Sequence, residues 1–150
     1  ICTELWALET YADYPRQGVQ LILAPRATSA ATTGKWLAIG TVAAVRSGAF
    51  SLSSNRVDPM GNCGGVGWII SPDGQVQAST TGEAPFATVD IDLDAATAAR
   101  AGYPGYVLRE EKADASLRRT RAARPGRSPD GRHPGHRAPD SARIASRTDP

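Results

Sequence analysis

Histidine, cysteine and methionine are scarce in this 150-residue chain, and their scarcity excludes whole classes of chemistry. The only histidines are His133 and His136, the only cysteines Cys2 and Cys63, and the only methionine Met60. No Cys-x-x-Cys pair exists, and the His-x-x-His spacing has no ligands beside it, so no metal site and no cofactor are implied. No apolar run approaches the ~20 residues of a membrane span. A Cys2–Cys63 disulfide would suit an oxidising compartment, but nothing marks a secreted protein, and the cytoplasm is the expected location. The sequence opens at Ile1 with no initiator methionine, which points to a piece of a longer chain. The lack of a signal peptide therefore carries no weight.

Aromatic residues stop at Tyr106, and the charge changes sign near the same place. Residues 1–108 hold 6 Lys/Arg against 9 Asp/Glu, a net charge of −3. Residues 109–150 hold 11 against 6, a net charge of +5, so the basic character of the chain belongs to its tail. The two segments are expected to be an ordered unit, 1–108, and a Pro/Arg/Gly-rich tail, 109–150, too poor in large apolar residues to offset the entropy of ordering. Basic tails can bind nucleic acid by counterion release. Here Asp130, Asp140 and Asp149 interrupt the basic residues and no aromatic platform accompanies them, which argues against nucleic acid as a partner.

The ordered segment reads as alternating α and β. Leu5 to Gln17 is expected to be helical, with Leu5, Leu8 and Tyr11 on one face and Gly18 as the stop. Val19 to Ala24 is a continuous apolar run, the pattern of a strand buried on both faces. Thr32 or Thr33 can cap a second helix carrying Trp36, Ile39, Val42 and Ala43 at helical spacing. Phe50 and Leu52 alternate with Ser51 and Ser53, a strand with one polar face. Val66 to Ser71, Pro72-Asp73-Gly74 and Gln75 to Ala78 form a hairpin with a type I turn. Phe86 to Leu93 alternates again, and Asp94 can cap a short helix ending at Ala101.

Cys2 stands where an entering strand would turn into a helix. A helix N-terminus offers unpaired N–H groups and partial positive charge, which favour thiolate over thiol and can bind an oxyanion. Free cysteine is also among the most buried residue types, so a core role competes with a nucleophilic one.

Several short motifs then fall in a recognisable order. Cys2-Thr3-Glu4 has an acid two places after the cysteine, and Gly18 to Pro25 runs from glycine through an apolar stretch to proline. Phe50 leads through serines to Asn55-Arg56, Gly64-Gly65 form a glycine-rich loop, and Trp68 to Gly74 ends in Pro-Asp-Gly. Together they resemble the second half of a nitrilase-superfamily (carbon-nitrogen hydrolase) domain, over Ile1 to about Tyr106. The chain departs from the family at Ala43 to Ser47, where Arg46 replaces the Glu of the usual Arg-Ala-x-Glu-Asn.

The resemblance implies an α/β fold, part of a four-layer α-β-β-α sandwich followed by a disordered tail. It implies hydrolysis of a small amide, carbamoyl compound or nitrile through a cysteine thioester, with a homo-oligomer as the full-length state. Cys2 would be the nucleophile, and the Thr3 backbone N–H would help bind the oxyanion. The family's Glu base and Lys precede the cysteine and are not on this chain. Arg26 and Thr28 follow the Val19–Ala24 strand, where α/β proteins place ligands, and Trp6 lies one turn past Cys2; these three are candidate substrate-binding residues. An acyltransferase of the same superfamily, or a non-catalytic half-domain that pairs with another chain, remains open as an alternative.

Overall fold

A computed structural model describes residues 2–58 and 60–122. Four short strands form one mixed sheet in the order β1-β2-β3-β4: Leu21–Leu23, Phe50–Ser53, Trp68–Ile70 and Val76–Ser79. Strands β1 and β2 run parallel, and the other two pairs are antiparallel. The helices are α1 (Leu8–Tyr11), α2 (Thr33–Ser47), α3 (Asp94–Ala101) and α4 (Gly105–Ala122). The chain is therefore α/β. Among the described residues, no helix is long and apolar enough to cross a membrane.

Helix α2 connects the two parallel strands and lays its Ile39, Gly40, Ala43, Ala44 and Ser47 face on the sheet. That face meets Ile22, Ala24, Trp68 and Ile70, and Leu5 and Tyr11 close one end of the core. Val42, expected on the buried face, is 44% exposed. The small residues Gly40, Ala43 and Ala44 bring the backbone closest to the sheet and rotate Val42 outward. Gly48 ends α2 in the left-handed conformation, φ 57°, with its N–H on the Val45 carbonyl at 3.3 Å. The departure at Arg46 has a visible consequence: its Nε donates to the Leu8 carbonyl at 2.9 Å and ties α2 to α1.

The expected helix from Leu5 to Gln17 is instead three short pieces. A 3-10 turn covers Cys2–Trp6, then comes α1, then a 3-10 turn at Tyr14–Gln17 with Pro15 in its first turn. Proline suits the start of a helical turn and cannot donate within one, and Pro15 sits in the first turn of the last piece. Gly18, φ 71°, supplies the stop.

Strand β1 is covered on one face only. Ile22 is buried against the helices, whereas Leu23 is 70% exposed on the opposite face. The register places Leu21, Leu23, Phe50, Leu52 and Ile69 on that second face. Phe50 is buried there in a groove shared with Ala95, Ala98 and Ala99 of α3. The rest forms an open hollow of about 510 Å³ lined by Leu23, Leu52, Ile69, Val57 and Phe86. The expectation of a strand buried on both faces is thus corrected: among the described residues, nothing covers Leu23.

The polar face of β2 also points inward. Ser51 and Ser53 are buried on the α2 side, where Ser51 Oγ accepts from Trp68 Nε1 at 3.2 Å. The hairpin from β3 to β4 turns at Ser71–Gly74 as expected, with Gly74 N–H on the Ser71 carbonyl at 2.9 Å and Gly74 at φ 91°. Phe86 to Leu93 is not a strand. It pairs with no strand in the sheet, and Phe86 is 91% exposed. Asp94 is the first residue of α3 rather than its cap: Leu93 holds the N-cap position, and the Asp92 carboxylate just before it accepts from Asp94 N–H at 2.9 Å.

Expected disorder from residue 109 is corrected for residues 109–122, which continue α4. The run from Arg109 to Ala122 contains no Gly or Pro and is rich in Arg, Glu, Lys, Ala and Leu, all good helix formers. Low apolar content argues against packing, not against helix. Residues 123–150, the remainder of the expected disordered tail, lie outside the described residues.

Candidate active site

Cys2 opens the first helical turn of the chain, partly exposed, with its Sγ 3.9 Å from Thr3 Oγ1. Leu5 of the same turn is buried and fixes the turn against α2. Trp6, half exposed, meets Trp36 of α2 edge to face, ring centroids 5.5 Å apart. The turn bearing the cysteine is thereby anchored by one aliphatic and one aromatic contact.

Arg26 lies beyond the C-terminal end of β1, where the parallel pairing with β2 continues. Arg26 N–H donates to the Ser54 carbonyl and Arg56 N–H to the Arg26 carbonyl, each at 2.9 Å. Alternation along the extended chain sends its side chain to the helix-covered side, as with Ile22 and Ala24. There it is only 6% exposed. Its Nε donates to Ser53 Oγ at 2.7 Å and one terminal nitrogen to Thr28 Oγ1 at 2.9 Å. The other terminal nitrogen donates to the Val66 carbonyl. The guanidinium carbon sits 3.9 Å from the Trp68 ring centroid and 5.8 Å from that of Trp36, a cation–π arrangement on both rings.

Burial pushes the Arg26 guanidinium down to about 10, and the negative charge of a Cys2 thiolate acts against that fall. Arg26 stays cationic at neutral pH. Trp36 touches both Trp6 and Arg26, and so links the turn that Cys2 opens to the guanidinium.

Thr28 is buried and held by Asn55 on three sides. Asn55 Oδ1 accepts from Thr28 N–H at 2.9 Å and from its hydroxyl at 3.3 Å, and Asn55 Nδ2 donates to the Thr28 carbonyl at 3.1 Å. Of the five residues singled out by sequence, Trp6, Arg26 and Thr28 are linked through Trp36 and the guanidinium, and Cys2 and Thr3 lie on the turn that carries Trp6. Thr3 is exposed, touching Cys2 alone through its side chain.

Cys63 stands in a different setting. Burial raises its thiol pKa, and the Asp58 carboxylate adds to the rise. Burial also pushes the Asp58 carboxyl up, but N–H bonds from Cys63, Asn62 and Met60 outweigh it and lower its pKa. Asp58 thus closes the loop that carries Cys63, with the Cys63 N–H at 2.8 Å.

Four participants escaped the sequence reading as site groups: Trp36, Trp68, Ser53 and the Val66 carbonyl. The available signal was the pair Ser51/Ser53 at period two inside an otherwise apolar strand, since an inward-facing cation needs such acceptors. The open hollow under Leu23 and Phe86 contains neither Cys2 nor Arg26, so that concavity is not where the chemistry-bearing side chains gather.

The chain matches the Carbon-nitrogen hydrolase family over residues 1–101. It belongs to that family. The match takes in β1 to β4, α2 and α3, together with all five site candidates, and ends at the last residue of α3. No curated protein matches the chain.

Proposed function

We propose that this chain carries the nucleophile half of a thiol hydrolase for non-peptide carbon–nitrogen bonds, acting on a small amide, carbamoyl compound or nitrile. Cys2 Sγ attacks the carbon: with an amide or carbamoyl compound the nitrogen leaves with a proton as the thioester forms. A nitrile first adds the thiol to give a thioimidate, from which water then expels ammonia to leave the thioester. Water then releases the acid and restores the thiol. The Thr3 backbone N–H contributes to the oxyanion site, worth on the order of 3 kcal/mol by comparison with other such donors. Trp6, Arg26 and Thr28 belong to the substrate side of the centre. The general base and the lysine come from residues upstream of Cys2, and the sheet described here is one layer of a four-layer sandwich.

The observation that carries this reading is Cys2 on a first helical turn, which the Trp6–Trp36 pair links to the buried cation of Arg26, in a chain of this family. Cys63 is the competing thiol, but burial, and then the Asp58 carboxylate that closes its loop, raise its thiol pKa. In a chain extended upstream to include the family's Glu and Lys, Cys2→Ala should abolish ammonia release while Cys63→Ala leaves it intact. Equal loss in two folded variants would sink the assignment.

A second reading has its own support. The uncovered apolar face of Leu21, Leu23, Leu52 and Ile69 fits a half-domain that pairs with another chain without turnover. Ammonia release by the extended chain, dependent on Cys2, would exclude it.

A further inference from the structure

Arg26 is a buried cation without a buried anion. Among the described residues no carboxylate pairs with it, although it is only 6% exposed. Its three hydrogen-bond acceptors, Ser53 Oγ, Thr28 Oγ1 and the Val66 carbonyl, are all neutral. A guanidinium has five N–H donors, so two remain, one on each terminal nitrogen. Aromatic faces and neutral dipoles return only part of the hydration a cation loses on burial. An arginine serving only to hold strands together would need no net charge, and neutral donors would serve at lower cost. The charge has a use where an anion arrives.

The anion must arrive beside Cys2. Trp6, on the turn that Cys2 opens, packs edge to face on Trp36, and the guanidinium carbon lies 5.8 Å from the Trp36 ring centroid, so one aromatic pair links the cysteine's turn to Arg26. Two donors on the planar fork match the two oxygens of a carboxylate. No second basic side chain hydrogen-bonds into the cluster among the described residues, which fits one unit of negative charge better than a phosphate.

We infer that Arg26 recognises a carboxylate of the substrate, so that the molecule attacked at Cys2 bears an acidic group close to its scissile carbon–nitrogen bond. This rests on Cys2 as nucleophile, and the test separates the two ideas. Iodoacetate and iodoacetamide undergo the same reaction: the thiolate displaces iodide and a thioether forms. They differ mainly in one negative charge. The rate of each at Cys2 is read by peptide mass spectrometry on the 150-residue chain, and their ratio is compared with that for N-acetylcysteine in the same buffer.

The wild-type ratio of iodoacetate to iodoacetamide should exceed the reference by about tenfold at low salt and shrink as salt screens the charge. Arg26→Lys should keep part of the preference, and Arg26→Gln should bring the ratio to the reference. Succinate should slow iodoacetamide at Cys2 in the wild type more than sodium chloride of equal ionic strength does. If Arg26→Gln fails to fold, the wild-type ratio, the lysine variant and the succinate competition still decide. A wild-type ratio at or below the reference overturns the carboxylate site and leaves the nucleophile standing. No reaction of Cys2 with either reagent overturns both.

Discussion

A Cβ built on Gly40 would stand 2.5 Å from Cζ2 of Trp68, so α2 and β3 meet as closely as a glycine allows. The indole held in this way is the platform for Arg26 and the donor to Ser51. Core packing and the candidate site therefore share one side chain, and a change in the first must reach the second.

Gly40→Ala should for that reason lower stability, although alanine is the better helix former by about 1 kcal/mol. Overpacking a tight core costs roughly 1–3 kcal/mol, which outweighs that gain. Urea unfolding followed by tryptophan fluorescence measures the balance. A more stable variant would mean that Trp68 gives way freely.

Tyr11 sets an alkaline limit. Burial, with the neighbouring charges of Tyr14 and Glu4, raises its hydroxyl to about 12, and it donates to the Glu4 carbonyl at 3.3 Å. Between pH 10 and 12 the unfolded chain loses this proton while the folded chain keeps it, so its contribution is complete below pH 10 and falls as pH rises. Arg26, held near 10, works in the opposite sense over the same window, because there the unfolded chain holds the extra proton. The wild-type curve mixes the two. The difference between wild type and Tyr11→Phe isolates the first, and it should shrink by about 2–3 kcal/mol from pH 10 to 12. A difference independent of pH would show that Tyr11 titrates normally.

The order of elements was legible because each rests on local chemistry. Gly18 and Gly48 stop helical segments, Pro72-Asp73-Gly74 turns a hairpin, and α2 follows its apolar spacing. What was not legible depends on what lies opposite. Ser51 and Ser53 read as a solvent face because serine is usually exposed, and only Trp68 and Arg26 on neighbouring segments turn that face inward. The run of β1 read as buried twice, since periodicity cannot report whether a second layer is there to cover Leu23. For the site, Cys2 and Arg26 could be chosen from their places at element ends, but the burial of Arg26 and its aromatic platform come from residues 10 to 42 positions away.

Removal of residues 117–150 should leave the melting temperature unchanged within error. The close packing of α4 is at its start, where a Cβ on Gly105 would be 2.7 Å from the carbonyl oxygens of Ala99 and Arg100. Further along, Leu117 and Arg118 are exposed, and the Asp114–Arg118 ion pair at 3.1 Å is a solvent-facing contact of small value. Scanning calorimetry of residues 1–116 against the whole chain measures the effect. A fall of several degrees, or slow amide exchange in the removed segment, would show that it packs.

The 150-residue chain on its own should self-associate and show no turnover. Its open sheet face carries Leu23, Leu52, Ile69 and Val57 around a hollow of about 510 Å³, and Leu23 is among the most exposed of its large apolar residues. Apolar surface of this kind drives association. Strand β1 ends the sheet, and an edge with free N–H and C=O groups is a template for further pairing. In the proposed mechanism the general base and the lysine come from upstream of Cys2, and among the described residues the groups bonded to or stacked on Arg26 are hydroxyls, a carbonyl and aromatic rings. Light scattering should therefore report species larger than the monomer, and amides, carbamoyl compounds and nitriles should release no ammonia. Added upstream segment, bearing the missing Glu and Lys, should suppress the association and restore turnover together, because both depend on completing one core. Turnover by the monomeric chain alone, lost on Cys2→Ala, would place a general base within these residues and refute the half-domain reading.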